Sequence, residues 1–88
     1  MISEADKMFK KLKFKKRENK IIGYIEYVQE GKNEDAVISF DRSSQTIMAG
    51  LYKKTLVDAM MYGSRGLAIT PEELKATYKK CEELGWIK

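Results

Sequence analysis

The sequence predicts an α+β fold: an N-terminal helix, an antiparallel meander of three or four strands, and a capped C-terminal helix, with both helices on one face of the sheet. Three observations carry this prediction. Residues 5–12 space their apolar positions as a helix does. Residues 14–53 hold short β-branched and aromatic runs broken by turn residues. Thr70-Pro71-Glu72-Glu73 is a helix start. The 88 residues suffice for one small domain, 1–88, and are too few for a second core.

In the first element, Ala5, Met8, Phe9 and Leu12 fall on one helical face, Ser3 is placed to cap, and Glu4 and Asp6 sit in the first turn where the helix dipole favours them. The spacing fails near Lys13, so residues 14–18 read as a first extended piece and Glu18-Asn19 as a turn. Ile21 to Val28 has strand composition, and Glu30-Gly31-Lys32-Asn33 turns the chain. Ala36, Ile38 and Phe40 then alternate with Val37, Ser39 and Asp41, the period of a half-buried strand. After Arg42-Ser43-Ser44-Gln45, Ile47, Ala49 and Leu51 alternate again. Short gaps between successive strands imply antiparallel pairing. Residues 54–66 are an excursion in which Thr55 to Tyr62 reads as a short helix, as a long hairpin arm or as a mobile loop, with Gly63, Ser64 and Gly66 marking irregular backbone. Beyond it, Ile69 and Leu74 are placed as a hydrophobic staple, and Leu74, Tyr78, Cys81 and Leu84 form the expected apolar stripe. Gly85 suits a left-handed cap, with Trp86 returning over Cys81.

Composition narrows the chemistry. Hydrophobic residues make up 43% and charged residues 34%, the balance of a folded domain rather than a disordered tail. The longest uncharged run, Ser43 to Tyr52, spans ten residues, about half of what a membrane-spanning helix needs. Residues 1–6 carry no export pattern, and the single cysteine cannot close an internal disulfide; together they point to a reducing cytoplasm. With no histidine in the chain, general acid–base catalysis near neutral pH lacks its usual agent. Cys81 lies on the expected apolar face as a small core residue, with no base to activate it. Gly63-Ser64-Arg65-Gly66 lacks the spacing of a phosphate loop, and neither Glu34-Asp35 nor Glu82-Glu83 forms a paired site, because adjacent residues point apart. The expectation is a protein that is not an enzyme and takes no cofactor or metal.

Charge is unevenly placed within a net charge of +4. Residues 1–20 hold eight Lys/Arg against Glu4, Asp6 and Glu18, whereas residues 21–41 hold Lys32 against five acidic residues. Lys10, Lys13, Lys15, Lys16 and Arg17 are candidate phosphate contacts, with Phe14 available to stack on a base. The bland alternative is a solvated helix face and an edge strand kept unpaired by lysines. No recognised nucleic-acid signature accompanies them. Leu56, Val57, Met60, Met61 and Tyr62 are apolar for a loop and are candidate protein contacts. A protein partner is thus favoured over weak, sequence-blind binding of nucleic acid, and a homodimer is a further option.

Ala5-Asp6-Lys7-Met8-Phe9-Lys10-Lys11-Leu12, with Ile69-Thr70-Pro71-Glu72-Glu73-Leu74-Lys75 and Glu82-Glu83-Leu84-Gly85-Trp86, resembles a widespread group of small, largely uncharacterised proteins of phages, prophages and integrative elements of Gram-positive bacteria. Ile38-Ser39-Phe40-Asp41 is similar in character. Such proteins often carry glycine in the junction after the first helix, where this chain has Lys13; the turn is therefore expected to form without a left-handed glycine. The resemblance implies a phage or mobile-element accessory protein in a bacterial cytoplasm and supplies no activity.

Overall fold

The computed structural model describes residues 3–21, 23–53, 64–66 and 68–87. The chain runs α1 (Glu4–Lys11), β1 (Lys15–Asn19), β2 (Tyr24–Gln29), β3 (Glu34–Asp41), β4 (Thr46–Lys53), β5 (Ser64–Gly66) and α2 (Pro71–Glu83). The strands lie side by side in chain order, each antiparallel to the next. Four-residue connections between β1 and β2, β2 and β3, and β3 and β4 favour pairing of each strand with the next. At Gly31 an added Cβ would stand 2.3 Å from the Glu34 carbonyl oxygen, so the β2–β3 turn requires glycine there.

Register places the core. Ile25 opposes Phe40, Tyr27 opposes Ile38, and Ile38 opposes Ala49, so these side chains share one face of the sheet. Phe9 from α1, Phe14 from the α1–β1 junction, and Ala76 and Cys81 from α2 pack against that face. Both helices therefore cover the same side, as the sequence implies. The Phe9 ring stacks on Tyr27 with centroids 3.9 Å apart and meets Phe14 and Phe40 edge-on. Tyr27, Phe9, Phe40 and Ile38 are the largest fully buried side chains. Each such burial stabilises by about 1.5–3 kcal/mol relative to exposure.

Four expectations are corrected. The first turn falls later than Glu18-Asn19: β1 runs through Asn19, β2 starts at Tyr24, and Ile21 is 96% exposed. The Gly23 amide donates to the Asn19 carbonyl, with Gly23 in the left-handed region at φ 77°. Second, β3 departs from simple alternation, because Val37 and its β2 partner Val28 are buried on the face away from the helices. Third, Ser64–Gly66 is not irregular but pairs with Gly50, Leu51 and Tyr52 of β4. Serine and glycine are poor strand formers, so an available sheet edge overrides local preference. The rest of the excursion, 54–63, lies outside the described residues.

The fourth correction concerns α2. Its buried side is Ala76, Thr77, Lys80 and Cys81, whereas Leu74 and Tyr78 stay 56% and 55% exposed. Ile69 is 39% exposed, so the predicted staple buries little. The inward stripe is rotated toward α1 because the helix must pack on α1 and the sheet together. Its caps are as expected. Thr70 accepts from the Glu73 amide at 3.1 Å while the Glu73 carboxylate accepts from the Thr70 amide at 2.8 Å. Gly85 takes φ 77°, and Trp86 packs on the core with its ring 6.1 Å from Phe40.

Candidate functional site

Polar groups meet where α1, β1, β2 and α2 converge. Asp6, in the first turn of α1, accepts a hydrogen bond from the Tyr27 hydroxyl at 2.5 Å on Oδ1 and from Lys16 Nζ at 2.9 Å on Oδ2. Lys80 Nζ lies 3.5 Å from Asp6 Oδ1, 3.7 Å from Glu83 Oε1, and 6.0 Å from the Tyr27 ring centroid. The Lys80 side chain is 7% exposed, and two carboxylates and an aromatic face compensate its burial. Glu83 reaches back to the start of α1, accepting from the Ser3 hydroxyl and, at 2.9 Å, from the Ala5 amide.

The electrostatics follow from these partners. Burial alone would raise the pKa of Asp6, but the Tyr27 hydroxyl, Lys16 and Lys80 together hold it below the usual carboxylate value. Burial also acts upward on Glu83, and Ser3, the Ala5 amide and Lys80 outweigh it, so that its pKa too is lowered. Tyr27 is pushed far up, first by burial and then by Asp6, so the phenol keeps its proton and serves as a fixed donor. Burial likewise raises the Cys81 thiol. The cluster joins elements; it presents neither a free base nor an ionised nucleophile. Among the described residues no three acidic or cysteine side chains converge as a metal site would require.

The candidate phosphate contacts separate. Lys10, Lys15 and Lys16 line one open cavity of about 340 Å³ with Asp6, Phe14 and Tyr27. Lys13 and Arg17 are not among its lining residues. Lys15 lies 3.4 Å from Glu30, and Arg17 lies 3.7 Å from Glu26. All of β1 is exposed at the edge of the sheet. Phe14 is 4% exposed, which removes it as a stacking platform and makes it a core residue.

The candidate protein contacts Leu56, Val57, Met60, Met61 and Tyr62 lie outside the described residues. Elsewhere, apolar side chains remain at the surface: Leu74 and Tyr78 one turn apart on α2, Ile69 just before it, and Ile47 and Met48 on β4 at 40% and 58% exposed. Sequence reasoning placed Leu74 and Tyr78 inside. The competing stripe Ala76-Thr77-Lys80-Cys81-Leu84 also has helical spacing, but it carries a lysine that only Asp6 and Glu83 make tolerable inside. Comparison with family models, curated proteins and solved structures returns no match.

Proposed function

We propose that this protein is a non-catalytic accessory module that binds another protein through the outward face of α2. The setting is the one the sequence resemblance implies, a phage or mobile element acting in a bacterial cytoplasm. The observation that carries the reading is the Leu74–Tyr78 pair, 56% and 55% exposed, on a helix capped at both ends. A rigid helix offering an aliphatic and an aromatic side chain at i and i+4 is a common way to dock on a partner's groove. Catalysis is not favoured, because Tyr27 is a locked donor and Cys81 a buried thiol. Nucleic acid is the less favoured partner, since Lys15, Lys16 and Arg17 are matched by Glu30, Asp6 and Glu26, which breaks the run of free cations a polyanion needs.

The test places a photo-crosslinking residue at Tyr78 and compares capture from Gram-positive cell lysate by the native chain and by a Leu74→Lys, Tyr78→Lys variant. A discrete partner lost in the variant, with the unfolding midpoint unchanged, is the expected result. Equal capture by both chains would sink the reading. A crosslink to a second copy of the chain, with matching self-association in sedimentation, would identify the partner as the protein itself.

A further inference from the structure

We propose that β1 takes an acidic, extended segment of a partner protein as an additional strand at the free edge of the sheet. This edge is separate from the outward face of α2. The strand order leaves β1 outermost, with β2 as its one paired strand among the described residues. All five residues of Lys15–Asn19 are exposed, pair with β2 at consecutive positions without a bulge, and include no proline. An edge of that kind keeps a row of unpaired backbone N–H and C=O groups on which another strand can add.

Charge selects the strand. Alternate residues share a face, so Lys15 and Arg17 lie together on the side away from the helices, opposite Val28 and Glu26 of β2. Lys15 lies 3.4 Å from Glu30 and Arg17 3.7 Å from Glu26, with the two cations 76% and 64% exposed. Exposed pairs of that length hold their partners loosely, so each cation can be shared with a carboxylate on its other side. Acidic residues at alternate positions of an added strand extend the order of charges across the sheet: negative on β2, positive on β1, negative on the newcomer. The helix side is already matched, since Lys16 is held by Asp6 at 2.9 Å and Glu18 lies 3.7 Å from Arg42. The same cations disfavour a second copy at this edge. Antiparallel self-pairing centred on Arg17 sets Arg17 against Arg17, and centred on Lys16 it sets Lys15 against Arg17. A nucleic acid can use the charges but cannot continue the backbone ladder.

The test is a titration of backbone amide resonances with a short peptide of alternating threonine and glutamate. Three further probes are the same peptide with its backbone nitrogens methylated, an alternating threonine–lysine peptide, and oligothymidylate. Saturable shifts are expected across Lys15–Asn19 with the acidic peptide, and the methylated form should bind about tenfold more weakly. Lys15→Gln with Arg17→Gln should weaken the acidic peptide by about fivefold. The control pair Lys32→Gln with Lys75→Gln, which removes the same charge from exposed positions elsewhere, should change it by less than about twofold. Equal binding by the methylated peptide or by oligothymidylate, or equal weakening by both variant pairs, would reduce β1 to a generally basic surface. Equal binding by the lysine peptide would remove the charge preference. Any of these results, or the absence of saturable shifts in β1, overturns the proposal.

Discussion

The two helices stop with the same backbone pattern. At the end of α1 the Phe14 amide donates to the Phe9 carbonyl at 3.0 Å and the Lys13 amide to Lys10 at 3.0 Å. At the end of α2 the Trp86 amide donates to Cys81 at 3.0 Å and Gly85 to Glu82 at 3.1 Å. Both are Schellman motifs, and in each the residue beyond the cap is left-handed: Gly85 at φ 77°, Lys13 at φ 71°. The starts differ in the same sense. Thr70 and Glu73 close α2 from within its own sequence. At α1, Ser3 caps the Asp6 amide, but the Asp6 side chain is turned to Tyr27 and Lys16, and Glu83 takes the Ala5 amide from 78 positions away. The Leu12 carbonyl accepts from Gln29 Nε2 at 2.7 Å. The lesson is that α2 is written locally, whereas α1 is completed by the strands and helix it docks on.

Cutting that dependence should have the largest effect. Asp6→Ala removes the acceptor of the Tyr27 hydroxyl and one of the two carboxylates beside buried Lys80. Stranding a buried donor and half-uncovering a buried cation should cost about 3 kcal/mol, read from the urea midpoint. Amide exchange should then rise in α1 before α2. If both helices lose protection equally, α1 is not the conditional element.

Acid should act through the same joint. Asp6 and Glu83 have lowered pKa values in the folded protein, so the unfolded chain binds protons more readily between the ordinary and lowered values. Their stabilisation is complete above the ordinary carboxylate range, about pH 4, and is lost as pH falls through the folded values. Native protein should lose stability on acidification through that window, and Asp6→Ala should flatten the loss. An acid limb of unchanged steepness in the variant would place the sensitivity elsewhere.

These contrasts also explain what the sequence could reveal. The box at Thr70, the cap at Gly85, the antiparallel order and the face of Ala5, Met8, Phe9 and Leu12 depend on neighbours within a few positions, and all are present. The rotation of α2 was hidden, since Lys80 is acceptable inside only beside Asp6 and Glu83, and Leu74 looks inward by composition alone. The basic stretch is visible in the sequence, but which of its lysines share a face depends on register: Lys16 opposes Tyr27 and reaches Asp6, whereas Lys15 opposes Val28 and reaches Glu30. The strand Ser64–Gly66 carried no signal, because the pairing is supplied by β4.

A local cap should matter less than the joint. Thr70→Ala removes one side of the reciprocal box and should cost about 1 kcal/mol, with amide exchange accelerated in the first turn of α2. A loss as large as that for Asp6→Ala would mean that α2 is no more self-sufficient than α1.

The smallest effect tests the matched helix ends. The resemblance led to the expectation of a junction formed without a left-handed glycine, and it is so formed: Lys13 itself adopts the left-handed conformation, at φ 71°. A side chain there costs about 1 kcal/mol relative to glycine, partly offset by the freedom glycine regains on unfolding. Lys13→Gly should therefore stabilise the protein by about 0.5 kcal/mol. Gly85→Ala is the mirror experiment. A Cβ at Gly85 meets no atom within 4 Å, so its cost should be purely conformational, about 1 kcal/mol. Opposite signs in the two thermal midpoints would establish that the motifs differ only in their left-handed residue. A destabilising Lys13→Gly would instead show that the lysine stem contributes packing that outweighs its backbone strain.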